Sequence, residues 1–186
     1  MKRYILAFVP LLLAAVLPAA EGNAATMMPG LKVGDHAAAF TLKNSAGADV
    51  SLSDLVKNGP VALVFVRSAD WCPFCRRQLQ DLQKDLSTLA AAGVQLIALS
   101  YDSASTNAAA TAKLGLTFPL LSDPGSKVID AYGIRNTEAK GKAVGVPHPA
   151  VFIVDRTGMI HAKLMRDGYR ERPESAEIIA AAAGLR

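Results

Sequence analysis

Cysteine and histidine are scarce in this chain, which has two of the first and three of the second among 186 residues. A structural zinc site needs four ligands. Here Cys72 and Cys75 could be joined only by His36, His148 and His161, and no two of these histidines stand at the spacing of a zinc finger. The sequence therefore disfavours a structural zinc site.

The sequence also has no run of basic residues interleaved with aromatic ones. The formal net charge is +4, aromatic residues make up 6% of the chain, and the charges are dispersed. A nucleic-acid site needs clustered basic residues, so nucleic acid is not expected as a partner. The most charged stretch, residues 166–172, is mixed in sign and is interpreted as a solvated turn.

The length of 186 residues and a hydrophobic content of 51% predict one domain with a sizeable core.

No apolar stretch is long enough for a permanent membrane anchor. The longest, Tyr4–Leu17, is interrupted by Pro10 and falls short of the roughly 20 residues that span a bilayer. It follows the basic start Met1–Arg3 and precedes small residues at positions 19–25, which is the layout of a secretory signal peptide. Residues 1–25 are therefore predicted to be a cleaved leader.

Cleavage of the leader would leave residues 26–186 as one folded domain with 18 basic and 15 acidic residues. No cysteine lies near the cleavage region, so lipoprotein acylation is not expected and the mature protein would have no stable membrane anchor. The predicted location is the periplasm or the external medium. Such compartments are oxidising, and a thiol pair there must be kept active by a dedicated partner.

The two cysteines form a Cys-Pro-Phe-Cys motif between the apolar run Val61–Val66 and a stretch of helical rhythm that begins at Arg76. A helix start supplies unpaired N–H groups and a positive dipole end, which lower a thiol pKa from about 8.5 to roughly 3.5–7.5. Cys72 and Cys75 lie three residues apart, close enough for a disulfide. Because the loop that it closes is tiny, this bond would add little stability. The pair is therefore predicted to undergo reversible redox chemistry.

Periodicity and turn residues predict alternating strands and helices along the chain. The predicted strands are 37–42, 48–52, 61–66, 94–100, 118–121, 150–154 and 159–164. The predicted helices are a brief turn that begins at 53–55 and ends at 58–60, then 72 to about 92, 103 or 105 to 113, 127–132 and about 173–183. Continuous apolar runs are typical of parallel strands covered on both faces. This order predicts an α/β fold in which helices cover both faces of a mixed sheet.

Short segments spread along the chain carry a family resemblance. They are Leu31–Asp35, Phe40–Leu42, Val50–Leu55, Phe65–Arg67 leading into Trp71–Cys75, Ser100–Asp102 and Phe118–Asp123. Together they resemble the thioredoxin superfamily and, within it, the alkyl hydroperoxide reductase/thiol-specific antioxidant family, the peroxiredoxins and their relatives. The resemblance extends from about residue 31 to the C-terminus. It implies a thioredoxin fold with a peroxiredoxin-like N-terminal hairpin.

The chain departs from the family pattern at two places. Peroxiredoxins place a proline and then a threonine or serine ahead of the attacking cysteine. If Cys75 is that cysteine, Ser68 holds the proline position and Cys72 the threonine position. Pro149 stands where the family has a second active-site arginine, and its surroundings resemble the cis-proline segment of thioredoxin-like reductases. Arg67 is then the remaining candidate cation near the pair.

His148 immediately precedes Pro149 and would lie beside the cysteines in this fold. Two cysteines and a histidine are similar to the ligand set of copper chaperones in the same superfamily, and thiolates select Cu(I). Those relatives usually space their cysteines by three residues rather than two. His148 is therefore considered as a copper ligand and as a group that tunes the thiol pKa values. A purely structural disulfide is a further alternative.

The resemblance implies a thiol-based oxidoreductase that needs no cofactor besides its own sulfur. A hydroperoxide substrate would give a sulfenic acid, a protein disulfide substrate would give a mixed disulfide, and the second cysteine would then close the Cys72–Cys75 bond. Hydroperoxide reduction is the leading prediction, protein disulfide exchange is the alternative, and a thioredoxin-like protein is the expected reductant. Either cysteine could attack first. The residues predicted to bind substrate or tune the thiols are Arg67, Trp71, Pro73, Phe74, His148 and Pro149, with Trp71 and Phe74 forming an apolar collar.

Overall fold

A computed structural model describes residue 1 and residues 28–185. The strands are β1 (Thr41–Asn44), β2 (Asp49–Ser51), β3 (Val61–Phe65), β4 (Gln95–Ser100), β5 (Leu120–Ser122), β6 (Ala150–Val154) and β7 (Ile160–Met165). The helices are α1 (Leu52–Asn58), α2 (Pro73–Lys84), α3 (Leu86–Ala91), α4 (Ala104–Leu114), α5 (Lys127–Ala131) and α6 (Ser175–Ala181), with a short 3₁₀ turn at Gly141–Ala143.

The seven strands form a single mixed sheet, as the sequence predicted. Their spatial order is β2-β1-β5-β4-β3-β6-β7. The central strands β3, β4 and β5 run parallel, whereas β1, β2, β6 and β7 pair antiparallel with their neighbours. Because parallel strands end at the same edge of a sheet, the loops that follow β3 and β4 lie side by side. That edge carries the cysteine pair.

The central strand β3 is buried along its whole length, which explains its unbroken apolar sequence. Its alternate residues enter two separate cores because side chains along a strand point to opposite faces. Val64 packs with the two cysteines and the leucines of α2 on one face. Phe65 packs on the other face against Tyr132 and Phe152, with ring centroids 4.8 and 5.7 Å away.

Two helix boundaries differ from the prediction. The helix expected from residue 72 to about 92 is divided at Asp85, where the backbone reaches φ −94° and ψ 6°. Leucine spacing continues across the break, so periodicity alone does not reveal it. The last helix begins at Ser175 rather than Pro173, because Glu174 and Glu177 form a reciprocal capping box at its start.

The other predicted helix limits follow from local chemistry. Ser103 caps α4 by accepting a hydrogen bond from the Thr106 backbone N–H at 3.1 Å. Gly115 ends the same helix in the left-handed conformation at φ 65°, which glycine adopts without a steric penalty. In both respects the sequence prediction for this helix is confirmed.

The predicted leader, residues 1–25, lies outside the described residues except for residue 1. Among the residues that the structure describes, none of the helices has the length and apolar character needed to cross a membrane.

Candidate active site

The cysteine pair stands at the junction between a strand and a helix, as the sequence predicted. β3 ends at Phe65, and α2 begins at Pro73 with Cys72 as its N-cap residue. Proline suits the first helical position because its missing N–H would have no helical partner there. Cys75 is the third residue of α2 and lies one turn inside the helix start.

The two sulfur atoms are in direct contact. Cys72 Sγ and Cys75 Sγ lie 2.8 Å apart, and both residues are free thiols. Both are also almost fully buried, with exposed fractions of 1% and 0%. Burial excludes water from the pair, so the proton that the two sulfurs share is controlled by the few groups around them.

The groups around the two sulfurs give Cys72 and Cys75 different pKa values. The hydrogen bond with Cys72, the backbone N–H of Ser68 and the guanidinium of Arg172 lower the pKa of Cys75 to about 6, against the opposing effect of burial. The hydrogen bond to Cys75 and burial raise the pKa of Cys72 above its ordinary value, although the charge of Arg67 opposes them. Cys75 is therefore the thiolate of the pair, and the Cys72 thiol is the donor that stabilises it.

Arg172 is a site residue that sequence reasoning missed. Its Nη2 donates to Cys75 Sγ at 3.7 Å, from a segment 97 residues further along the chain. The interpretation of residues 166–172 as a solvated turn is wrong for Arg172, which is half-buried, and correct for the exposed Arg170. No local feature of the sequence distinguishes these two arginines, because only the tertiary fold brings one of them to the sulfur.

Arg67 lies inside the site, between two aromatic rings. Its guanidinium carbon is 5.1 Å from the centre of the Trp71 ring and 4.3 Å from that of Tyr169. These distances are within the range of a cation–π interaction. Its charge lowers the pKa of Cys72, so the cation chosen from the sequence acts on the less acidic thiol.

The aromatic residues of the motif contact other aromatic residues and Arg67. Phe74 packs edge-on against Tyr169, with ring centroids 5.8 Å apart, and both rings are partly exposed. The Trp71 indole N–H donates to the Tyr101 hydroxyl at 3.0 Å, and that hydroxyl donates to the Lys142 carbonyl. Pro73 is exposed at the start of the helix. Tyr169 therefore packs on Phe74 and, like Trp71, lies against the guanidinium of Arg67.

A second buried polar group, called here the Asp102 cluster, holds the loop between β3 and α2. It consists of Ser68, Ala69, Ser100 and Asp102. The Ser68 hydroxyl, the Ala69 N–H and the Ser100 hydroxyl donate to the Asp102 carboxylate at 3.0–3.1 Å. Burial raises the pKa of Asp102 while these hydrogen bonds oppose the rise. Ser68 thus anchors the loop at the position where the family resemblance placed a proline.

His148 and Pro149 immediately precede β6, the strand that pairs with β3. The His148 N–H donates to the Ile134 carbonyl at 2.7 Å. Burial lowers the pKa of His148, against the charge of Glu138. Within residues 28–185, the structure gathers no set of three His, Cys, Asp or Glu side chains able to hold a metal, so His148 does not join the two cysteines as a copper ligand.

Pro149 is buried immediately before β6, whose first residue pairs with the last residue of β3. The expectation that Pro149 belongs to a cis-proline segment is wrong, because no peptide bond in the described part of the chain is cis. Pro149 instead directly precedes the strand that pairs antiparallel with β3.

Comparison with known proteins gives a consistent result. A family model described as AhpC/TSA matches residues 33–163. A candidate peroxiredoxin of Mycobacterium tuberculosis, Rv2521, is 36% identical over 131 residues, which are 70% of this chain and 82% of that protein.

Solved structures share the fold. Peroxidoxin BcpB from Mycobacterium tuberculosis matches with a TM-score of 0.73 and 22% identity, over 84% of this chain and 99% of that one. A candidate protein disulfide isomerase from Bacteroides thetaiotaomicron matches with a TM-score of 0.65 and 26% identity, over 86% and 94%. The predicted thioredoxin fold is therefore confirmed.

Proposed function

The chain belongs to the AhpC/TSA family and is a thiol-dependent oxidoreductase of the peroxidase class, and on that premise we propose that it reduces hydroperoxides through a Cys72–Cys75 dithiol–disulfide cycle. One observation carries the proposal. The pKa of Cys75 is lowered to about 6 beside a second thiol 2.8 Å away, so an attacking thiolate and a resolving thiol stand together near neutral pH.

The cycle begins when the Cys75 thiolate attacks the terminal oxygen of a hydroperoxide. The O–O bond breaks, an S–O bond forms, and the departing alkoxide takes up a proton, which leaves an alcohol and a Cys75 sulfenic acid. The Cys72 thiol then attacks the sulfenic sulfur, the S–S bond forms, and water leaves with the hydroxyl and the thiol proton. The sum converts one hydroperoxide and two thiols into one alcohol, one water and one disulfide.

A dithiol protein of the thioredoxin type would return the pair to the reduced state. Its first thiolate forms a mixed disulfide with one of the two cysteines, and its second thiol displaces the protein from that bond. The proposal needs no cofactor besides the two sulfurs. Arg67, Arg172 and the rings of Trp71, Phe74 and Tyr169 act on the pair by charge and by excluding water.

Protein disulfide exchange is the second candidate function. The candidate protein disulfide isomerase of the same fold favours it, at 26% identity over most of both chains. The Cys-Pro-Phe-Cys motif at the start of α2 also suits exchange. Under this function a protein disulfide sulfur, rather than a peroxide oxygen, is the atom attacked.

One pair of measurements tests the proposal against this alternative. The reduced protein is mixed with hydrogen peroxide and, separately, with a disulfide-scrambled protein, and the rates of Cys72–Cys75 disulfide formation are compared. We expect oxidation by peroxide to be much faster than the oxidation of free cysteine, and faster than exchange. If peroxide reacts no faster with the protein than with free cysteine, the peroxidase function is wrong and the exchange function replaces it.

We also propose that the protein is exported, because residues 1–25 have the layout of a signal peptide. The native protein, purified from its own cells, should lack this leader and be recovered from the periplasm or the medium. N-terminal sequencing that begins at Met1 would contradict cleavage.

A further inference from the structure

A cleft of about 520 Å³ lies between α2 and the segment that leads into α6, and Arg172 links it to Cys75. Phe74, Gln78, Leu82, Arg172, Pro173 and Ser175 are among the residues that line it. We propose that this cleft, called here the Gln78 cleft, binds an extended peptide segment next to the reactive cysteine of a protein dithiol. The inference rests on the dithiol–disulfide cycle proposed above, whichever oxidant forms the disulfide.

The size of the Gln78 cleft exceeds what hydrogen peroxide needs. A water molecule occupies about 30 Å³ of liquid, and small-molecule sites measure roughly 300–1,000 Å³. The cleft therefore has room for several atoms of main chain together with side chains.

Two buried polar groups in the lining have no partner among the described residues. They are the side-chain oxygen of Gln78 and the Nε of Arg172. Gln78 is 94% buried, with an exposed fraction of only 6%, yet it lines the cleft. An unpartnered buried polar group is costly, so a ligand that supplies the missing hydrogen bonds gains affinity from both. Both atoms are buried, so the proposed ligand reaches them only when the two side chains turn toward the cleft.

One acceptor and one donor together match an amide group. A peptide N–H would donate to the Gln78 oxygen, and a peptide carbonyl would accept from Arg172. The wall formed by Phe74, Leu82 and Pro173 suits apolar side chains of the ligand. The rim carries four basic and three acidic side chains, which suits a polypeptide better than a ligand of one charge: Arg77, Lys84, Arg170, Arg172, Asp81, Asp85 and Glu174.

Arg172 connects the Gln78 cleft to the reacting cysteine pair. Its side chain lines the cleft while its Nη2 contacts Cys75 Sγ at 3.7 Å. A partner thiolate held by flanking main chain would attack Cys72, form a mixed disulfide with it, and release Cys75, the better leaving group, as a thiolate beside Arg172. The partner's second thiol would then displace Cys72, which takes up a proton, and leave the partner with its own disulfide.

The test uses the oxidised protein, prepared with a checked count of zero free thiols. It is mixed with an end-blocked hexapeptide that has one central cysteine, and separately with 2-mercaptoethanol. Fluorescence of Trp71, the only tryptophan in the chain, follows the exchange. We expect the peptide to react about tenfold faster than 2-mercaptoethanol at equal thiolate concentration.

Substitutions in the Gln78 cleft test whether the faster reaction of the peptide depends on the cleft. Ser175→Phe fills the cleft and should abolish the peptide advantage while the rates with 2-mercaptoethanol and hydrogen peroxide stay unchanged. Gln78→Met, which removes the amide, should lower the peptide rate about fivefold. Ser105→Phe, also in the first turn of a helix but exposed on α4, is the matched control and should behave as the parent.

Three outcomes would overturn the inference. They are a parent protein with no peptide advantage, a Ser175→Phe variant that keeps the advantage, and a Ser175→Phe variant that loses only its rate with a bulky organic hydroperoxide. The last would make the cleft a hydroperoxide site. Failure of the parent to react with any peroxide would contradict the proposed function alone, because the disulfide for this test can be formed with oxidised dithiothreitol.

Discussion

Two buried polar groups flank the loop between β3 and α2, and they differ in how completely they are paired. In the Asp102 cluster, the carboxylate receives hydrogen bonds from Ser68, Ala69 and Ser100. Around Cys75, the Nε of Arg172 and the side-chain oxygen of Gln78 stay without partners within the described residues. A fully paired network fixes a backbone, whereas unpaired buried groups cost stability unless a ligand completes them. We infer that the Asp102 cluster holds the loop in place and that the groups around Cys75 take part in the reaction.

The largest expected effect on stability comes from disrupting the Asp102 cluster. Asp102→Ala leaves the Ala69 N–H and the Ser68 hydroxyl without their acceptor, so we expect the free energy of unfolding to fall by at least about 2 kcal/mol. Chemical denaturation of the reduced protein measures it. Asp70→Ala, which removes a neighbouring exposed carboxylate, should change stability by less than about 0.5 kcal/mol. Equal effects of the two variants would show that the Asp102 cluster does not anchor the loop.

The next effect concerns the hydrogen bond that Cys75 receives. Cys72→Ala removes the donor that contributes most to the low pKa of Cys75, so that pKa should rise from about 6 by about one pH unit or more. Cys72→Ser keeps a hydroxyl donor and should leave the pKa closer to the parent value. The rate of alkylation by iodoacetamide as a function of pH gives the midpoint for each variant.

The same low pKa has a consequence for stability. The folded-state value of about 6 lies below that of an unfolded thiol, about 8.5. Ionisation of Cys75 therefore stabilises the fold above about pH 8.5, and this contribution is lost as the pH falls through 6. In Cys72→Ala the stability gained between pH 6 and 8.5 should be smaller than in Cys72→Ser. Identical pH dependence in the two variants would contradict the hydrogen bond.

A smaller effect is expected from the guanidinium. Arg172→Gln removes the charge beside Cys75 and should raise the midpoint of alkylation by about half a pH unit. Arg170→Gln removes an exposed charge two residues away and serves as the control, for which no change is expected. If both variants shift the midpoint equally, the effect comes from net charge rather than from the contact with the sulfur.

The smallest effect should follow loss of the outer ring. Tyr169→Ala removes the aromatic surface that covers Arg67 and packs on Phe74. We expect unfolding to become easier by roughly 0.5–1 kcal/mol, the usual worth of a cation–π contact near the surface. Thermal unfolding of this variant beside the parent protein measures the contact. If Tyr169→Ala lowers the free energy of unfolding as much as Asp102→Ala does, the contacts of Tyr169 hold the loop as firmly as the Asp102 cluster does.

The sequence could predict features whose cause is local or periodic. The apolar run of β3, a helix that starts at the cysteine motif and a cap on α4 at Ser103 or Ser105 each depend on neighbouring residues, and the structure has all three, with Ser103 as the cap. The placement of Cys72 and Cys75 at a helix start follows for the same reason. Local signals also suffice to predict a mixed sheet, whereas the order of its strands comes from the structure.

The missed features depend on residues that are distant in sequence. Arg172 reaches Cys75 only because the segment after β7 folds back over α2, and no pattern near residue 172 encodes that path. The unpaired oxygen of Gln78 is likewise a property of packing rather than of the residue itself. Arg67 could be chosen from its position after β3, but its effect on Cys72 rather than Cys75 required the geometry of the two sulfurs.

The identity of the attacking sulfur is the most direct test of the whole account. Reduced Cys72→Ser and Cys75→Ser variants are each treated with one equivalent of hydrogen peroxide and a sulfenic-acid trap, and the adduct is located by mass spectrometry. The low pKa of Cys75 predicts a rapid adduct on Cys75 in Cys72→Ser and no comparable adduct in Cys75→Ser. A sulfenic acid that forms faster on Cys72 in the Cys75→Ser variant would contradict the assignment of Cys75 as the attacking thiolate.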